Sequence, residues 1–280
     1  MARLDLELVR RGLARSRTHA AKLIAEGSVA VDGASVTRPA HDVGEDTAID
    51  VAASEHDRYA SRAGRKLAGA LDRFGGIEPR GLRCLDAGAS TGGFTDVLLE
   101  AGASEVVAVD VGHGQLVPRL REDPRVRVHE GINVRDLTPE AVGGPVRLTV
   151  ADLSFISLTL VLGPLAACTE PGGDLLVMVK PQFEVGRERL ARTGVVGSDS
   201  ERRRAVASVA QAAAAEGLQL RGLAESPLPG QDGNHEYFLW LKVPNAATAV
   251  GGPEAPGSTV DPTAWVEQAW PAATGQEARA

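Results

Sequence analysis

Four charged side chains stand where apolar runs of this sequence begin or end. Asp152 closes the run 146–152 and Lys180 closes 174–180. Glu236 opens 236–243, and Lys66 lies just before an amphipathic helical pattern. Ionisable groups at strand ends are usually solvated. A lysine that ends a Leu176-Val177-Met178-Val179 run and precedes Pro181 is poorly explained that way, because lysine is rarely buried without a partner. Two lysines and two carboxylates around one cleft suit the activation of an alcohol. A neutral Lys180 takes the hydroxyl proton, or a charged one steadies the developing alkoxide. Such a site could move a methyl group from a sulfonium to a hydroxyl, with much of the rate coming from in-line placement.

A second constellation lies upstream. Leu85-Asp86-Ala87-Gly88-Ala89-Ser90-Thr91-Gly92-Gly93-Phe94 reads as a strand, a small-residue turn and the start of a helix. A glycine-rich turn at the carboxyl end of a strand lets a ligand lie against bare backbone, although a plain βα turn uses similar residues. Ser90 stands where a dinucleotide fingerprint needs its middle glycine, which disfavours a reductase. A nucleoside joined to an amino acid, S-adenosylmethionine, fits such a turn better. Asp110, ending the next strand, is placed to accept the ribose hydroxyls, with Asn133 and Asp136 near the adenine. The expected cofactor set is therefore Asp86, Gly88, Ser90, Thr91, Gly92, Gly93, Phe94, Asp110, Asn133 and Asp152. No metal-ligand spacing is visible.

The elements that must position these groups alternate. Strands are expected at 82–86, 106–111, 126–129, 146–152, 174–180, 218–225 and 236–243, with an alanine-rich helix at 204–215. Strands spaced by helices imply an α/β fold with a Rossmann-like, seven-stranded, doubly wound sheet. Only a loop separates the last two strands, so the last runs antiparallel and returns Glu236 to the rim of Asp152 and Lys180.

Residues 1–57 read as a small α+β domain. A first helix ends near Gly12, Ser16 caps a second that stops at Gly27, and an Asp32-Gly33 hairpin and a strand at 47–51 follow. Arg3, Arg10, Arg11, Arg15, Arg17 and Lys22 gather there, a pattern shared by phosphate-binding surfaces and by ordinary solvated helices. A basic linker at 58–65, with Arg58, Arg62 and Arg65, joins this domain to a catalytic domain at 66–245. Residues 246–280 read as a mostly disordered tail, with a brief helix at 264–270.

Among the 280 residues, 43% are hydrophobic and 4% aromatic, and the net charge is −7. Nucleic-acid binding must therefore rest on local patches. Cys84 and Cys168 suit neither a disulfide framework nor a zinc site and point to a reducing compartment. No signal peptide or membrane-length apolar run is visible, which implies a cytoplasmic protein.

The motifs carry two resemblances. Arg3-Leu4-Asp5, Leu8 through Leu13, Ser16-Arg17, Leu23-Ile24 and Gly27 through Gly33 resemble the RNA-binding module of a small-subunit ribosomal protein and of pseudouridine synthases. Over 1–244 the chain resembles the TlyA family, whose members go by haemolysin A and by rRNA 2′-O-methyltransferase. The matching runs include Ser61-Arg62, Lys66-Leu67, Cys84 through Phe94, Asp110 through Gly112, Asp152 through Ser157, Val179 through Gly186 and Glu236 through Phe238. The resemblance implies a Lys-Asp-Lys-Glu tetrad at Lys66, Asp152, Lys180 and Glu236, with S-adenosylmethionine as cofactor. It also implies cytidine ribose methylation in 16S or 23S rRNA and a link to capreomycin and viomycin susceptibility. Two other readings are a membrane-active haemolysin, which needs an insertion segment, and an RNA-binding assembly factor without turnover.

Overall fold

The computed structural model describes residues 2–14, 16–52, 58–186, 188, 190, 193–245 and 261–271. The chain divides into two compact units, Met1–Arg58 and Tyr59–Ala280. In the first, β1 (Ala2–Arg3) leads into α1 (Leu4–Arg10), which is followed by α2 (Arg17–Ala25). Ser16 Oγ accepts the His19 N–H at 3.2 Å and so caps α2. Then come β2 (Val29–Val31), β3 (Ala34–Ser35), β4 (Asp42–Val43) and β5 (Ile49–Val51). Asp32 and Gly33 take φ of 51° and 80°, the left-handed pair that a tight β2–β3 hairpin requires. β3, β2 and β5 form one antiparallel sheet, while β1 pairs with β4. Leu4, Leu8, Ala20, Leu23, Ile24 and Val29 fill the core between helices and strands.

The second unit opens with α3 (Arg62–Phe74), followed by β6 (Arg83–Ala87), α4 (Gly93–Glu100), β7 (Glu105–Asp110) and α5 (Pro118–Arg121). β8 (Val126–Glu130), β9 (Val146–Ala151), α6 (Leu162–Ala167), β10 (Thr169–Val179) and α7 (Pro181–Glu184) come next. α8 (Asp199–Ala215), β11 (Gln219–Glu225), β12 (Tyr237–Lys242) and α9 (Pro262–Ala269) complete it. The seven strands lie in the order β11-β12-β10-β9-β6-β7-β8, and β12 is antiparallel to both its neighbours. This is the doubly wound sheet expected from the sequence. Its winding reverses at β6, so the crevice opens beyond the carboxyl ends of β6 and β9.

Strand alternation assigns each side chain to a face. Cys84, Val106, Ala108, Val150, Leu176, Met178 and Phe238 pack toward α3 and α4. Leu85, Val107, Val109, Ala151, Val177, Val179, Tyr237 and Leu239 pack toward α6, α8 and α9. Asp152, Lys180 and Glu236 each stand one residue beyond a strand end on the second face, which returns them to the α3 face.

Two boundaries differ from the sequence reading. The expected linker 58–65 is folded into the second unit from Tyr59 onward. Tyr59 and Ala60 are buried in its core, and the Ala60 N–H donates to Asp96 Oδ2 at 2.7 Å. Helix α3 begins at Arg62, so Arg65 and Lys66 are helical, and Lys66 does not precede the helix as expected. The small residues Ala63 and Gly64 let α3 approach α4 closely; a methyl at Gly64 would stand 2.5 Å from Tyr59 Cβ. The stretch read as a mostly disordered tail contains α9, close to the brief helix expected there, while 246–260 and 272–280 lie outside the described residues. Val266 is fully buried, and the Trp270 ring lies 4.7 Å from that of Tyr237 and 4.7 Å from the Arg203 guanidinium.

Trp270→Ala should therefore cost about 1–3 kcal/mol of stability, read as a lower urea midpoint, because Tyr237 and Arg203 lose the ring between them.

Candidate active site

The turn that follows β6 is shaped by close approach to β9. Gly88 has φ of +88°, and a methyl there would stand 2.6 Å from the Asp152 carbonyl oxygen. Glycine is thus required both for the backbone angle and for the distance. Ser90 also takes a positive φ, 46°, and is held in place by its partners. Its N–H donates to Asp110 Oδ2 at 2.8 Å and its hydroxyl to Gln115 Oε1 at 3.1 Å. Asp110 Oδ1 accepts the Gly112 N–H at 2.7 Å. Asp110 therefore fastens two loops while retaining lone pairs that face the crevice.

That crevice holds a cavity of about 700 Å³, lined by Gly88, Ser90, Asp110, Asn133, Asp152 and Ser154 among others. Ile132, Val134, Leu153 and Ile156 provide apolar walls. A smaller cavity of about 220 Å³ shares Gly88, Ser90, Asp152 and Ser154 with it and adds Thr91, Gly93, Phe94, Arg62 and Lys180. Of the expected cofactor set, Gly88, Ser90, Thr91, Gly93, Phe94, Asp110, Asn133 and Asp152 line one cavity or both. Asn133 also accepts the Arg135 N–H at 3.1 Å, which closes a short 3-10 turn. Asp136 is exposed and lies off the lining.

Two members of that set serve the scaffold instead. Gly92, with φ of +99°, is the residue before α4. Asp86, expected as a cofactor contact, is fully buried under the turn and accepts Thr95 Oγ1 at 2.6 Å. Its parity in β6 points it toward α4. Burial pushes its carboxyl up to about 7, against the Thr95 hydrogen bonds, with Asp152 and Asp110 adding to the rise. Its other oxygen, Oδ1, is buried and has no hydrogen-bond partner among the described residues. Both cysteines are buried; burial pushes the Cys84 thiol up to about 12, which leaves it inert.

The four tetrad residues form two pairs. Lys66 Nζ donates to Glu236 Oε2 at 2.5 Å, with both side chains almost fully buried. Lys180 Nζ lies 2.7 Å from Asp152 Oδ1, off the line of a hydrogen bond, and donates to Ser154 Oγ at 2.9 Å. The register brings the pairs together: Val179 opposes Tyr237, so Lys180 and Glu236 follow on facing strands. Asp152 lines both cavities and Lys180 the smaller one, whereas Lys66 and Glu236 line neither. Sequence reasoning passed over Ser154, although its place two residues after Asp152 was a usable signal. The donor set fits a sulfonium nucleoside. Asp152 would attract its cationic centre, and Asp110 stands where ribose hydroxyls need an acceptor.

In the first unit, two buried acids organise the arginines. Asp5 accepts Arg3 at 3.0 and 3.1 Å and Arg17 at 3.2 Å, leaving both guanidinium groups half-exposed or more. Glu7 accepts Arg10 and Arg11, whose hydrogen bonds hold its carboxyl down to about 2. Arg11 also donates to the carbonyls of Gly44, Glu45 and Thr47, so it clips a loop and presents little to a ligand. Lys22 is exposed near Glu26 at 3.7 Å, and Arg15 lies outside the described residues. In the second unit Arg62 is exposed and donates to the Pro229 carbonyl at 2.8 Å, while Arg65 is half-buried; Arg58 is exposed at the end of the first unit. Among the described residues no helix is long and apolar enough to cross a membrane, and no cluster of three metal-binding side chains occurs.

Residues 59–243 match the model of the FtsJ-like methyltransferase family, and residues 2–49 match that of the S4 domain. The chain is 54% identical over 241 residues to the 16S/23S rRNA (cytidine-2′-O)-methyltransferase TlyA of Mycobacterium tuberculosis, spanning 86% of this chain and 90% of that protein. It is 37% identical over 237 residues to Hemolysin A of Brachyspira hyodysenteriae, spanning 84% and 98%. A solved structure from Streptococcus thermophilus that carries a hemolysin label superposes with a TM-score of 0.68 at 35% identity, covering 95% of this chain and 94% of that one.

Asp86 makes a test of the buried turn. The folded chain keeps a proton that the unfolded chain releases, so the contribution of Asp86 to stability falls as pH rises from the ordinary 3.8 to about 7 and is constant above that. The slope is up to about 1.4 kcal/mol per pH unit in this window. Asp86→Asn, which keeps the Thr95 acceptor, should gain on the native chain in urea denaturation between about pH 4.5 and 7.5.

Proposed function

This chain belongs to the TlyA family of FtsJ-like methyltransferases, and on that footing we propose that it methylates the ribose 2′-hydroxyl of cytidine in 16S rRNA, 23S rRNA or both, with S-adenosylmethionine as the donor. The observation that carries the reading is Lys180, on the wall of the smaller cavity, in contact with Asp152 and Ser154, which line both cavities; Glu236, of the buried Lys66–Glu236 pair, follows Lys180 on the facing strand.

Bound in the larger cavity, S-adenosylmethionine supplies an electrophilic methyl group on a sulfonium. Asp110 would hold its ribose hydroxyls, and the apolar walls around Ile132 and Leu153 would exclude water from its base. Gly88 leaves the turn open for close approach, and Asp152 faces the cationic end. Lys180 would meet the incoming 2′-oxygen, with the Ser154 hydroxyl fixing the direction of its amine and the Asp152 carboxylate lying against its charge. The amine either takes the hydroxyl proton or steadies the oxygen as charge develops. Lys66 and Glu236 hold α3 against β12 and thereby set the wall behind Lys180. Most of the rate comes from placing oxygen and methyl in line, which these fixed side chains favour.

Ribosomal RNA would be gripped by the first unit through phosphates and shape rather than through base edges. Arg3 and Arg17, paired on Asp5, and Arg10 on Glu7 are the readiest phosphate donors, and exposed Lys22 on α2 adds a further charge. Arg58, Arg62 and Arg65 extend the positive charge along the chain. Arg11 takes no part in this reading, because its donors serve the 44–47 loop.

Purified protein given methyl-labelled S-adenosylmethionine should label isolated ribosomal subunits. Lys180→Ala should lower the rate about 10²- to 10⁴-fold while donor binding by calorimetry persists. Full activity in that variant would remove Lys180 from the reaction. Replacing Arg3 and Arg17 together by alanine should weaken RNA binding roughly tenfold and reduce the salt slope by about 1–2, measured by titration at several ionic strengths.

A further inference from the structure

The segments that follow β9 and β10 carry Asp152 and Lys180, and they are fastened to each other at successive points. Lys180 Nζ reaches Asp152 Oδ1 and Ser154 Oγ. The rings of Phe155 and Phe183 meet with centroids 5.2 Å apart. Ser157 Oγ donates to Glu184 Oε2 at 2.5 Å, and the Leu158 N–H donates to Oε1 at 2.9 Å. The contact points run in the same order along both segments, so the two segments close on each other like a clasp.

Glu184 occupies the far end of that clasp. It sits on α7, immediately beyond Lys180, and both of its oxygens receive donors from consecutive residues of the opposite segment. Leu158 is buried against the α6–α8 face, so the bond to its N–H ties Glu184 to the core as well. Burial raises the affinity of the Glu184 carboxyl for a proton, and the Ser157 and Leu158 bonds oppose that rise. Between the ends of the clasp, Phe155 is held at φ of +64°, a costly angle for a bulky residue that persists only where its surroundings impose it.

We propose that Glu184 is a positioning residue for methyl transfer: by holding Ser157 and the Leu158 N–H it keeps the 152–158 turn on α7, and so keeps Asp152 and Ser154 on the Lys180 amine. The proposal rests on the reading of Lys180 as the group that meets the ribose oxygen. Glu184 itself lines neither cavity, so its effect travels through the turn. Loss of the two bonds lets the turn drift, and a displacement near 1 Å at the reacting groups is enough to slow transfer strongly. A glutamine at this position keeps an acceptor for the Leu158 N–H and offers an amide donor to Ser157 Oγ.

The test is steady-state methyl transfer to ribosomal subunits, with donor affinity measured by calorimetry on the same preparations. Glu184→Ala should lower kcat about 10- to 100-fold, with KM for the RNA and Kd for the donor changed less than about twofold, and Glu184→Gln should recover kcat to within about threefold of the native chain. A general loss of stability would lower the thermal midpoint without this split and without rescue by glutamine. Native kcat in Glu184→Ala, or equal damage in Glu184→Gln, overturns the proposal. Should Glu184→Ala fail to fold, Ser157→Ala removes one donor from the same clasp; a fall in kcat of roughly threefold or more supports the role, and an unchanged kcat overturns it. Lys180→Ala in the same assay separates the two readings. An inactive Lys180→Ala beside a fully active Glu184→Ala removes the clasp alone, whereas an active Lys180→Ala removes the reading of the site on which it rests.

Discussion

The second unit depends on one buried contact, the ion pair of Lys66 with Glu236. The partners lie 170 residues apart in sequence, one on the first helix of the unit and one at the start of its antiparallel strand. Removing either partner would strand a charge in a nearly dry setting, at a cost of about 3–5 kcal/mol. The pair therefore constrains more than it stabilises. It fixes how α3 crosses β12, and β12 in turn is paired along its length with β10, the strand that delivers Lys180. A slip of β12 by one residue would turn Glu236 to the other face of the sheet, away from Lys66.

The cofactor side is organised by a different device, carboxylates that tie loops through backbone N–H groups. Asp110 collects the turns after β6 and after β7, and Glu130 accepts the Gly114 N–H in the second of them. Asp96 collects the entry to the unit by accepting the Ala60 N–H and both arms of Arg119. Loops held in this way are ordered before a ligand arrives, which spares the ligand the entropy of ordering them. The first unit repeats the device with side chains as donors. Asp5 and Glu7 each gather two guanidinium groups, so part of the arginine surface is set by acids in the core of the unit.

Much of this architecture was legible beforehand because it is local. Ser16 before α2, Asp32-Gly33 in the hairpin and Gly88 in the turn each state a backbone requirement that only a few residue types satisfy. The alternating apolar runs marked all seven strands of the larger sheet, and the short connection before β12 implied its antiparallel direction. The helical start at Arg62 was obscured because Arg58, Arg62 and Arg65 read as a charged linker. The helix becomes apparent only once Leu67 and Ala70 pack on α4 and the sheet. Asp86 shows the opposite error: a carboxylate beside a glycine-rich turn looks like a ligand contact, yet strand parity directs it inward to Thr95.

By itself the sequence determined the strand and helix periods, the turns that need a positive φ, and the family motifs with their four charged residues. Each of these is a property of residue type and spacing over short stretches. Tertiary structure alone decided that the four divide into Lys66–Glu236 and Lys180–Asp152, that Arg11 serves a loop, that α9 packs on α8, and that Glu184 reaches back to Ser157. Such pairings join distant parts of the chain, and their choice follows from sheet register and burial, which emerge only when the whole core closes.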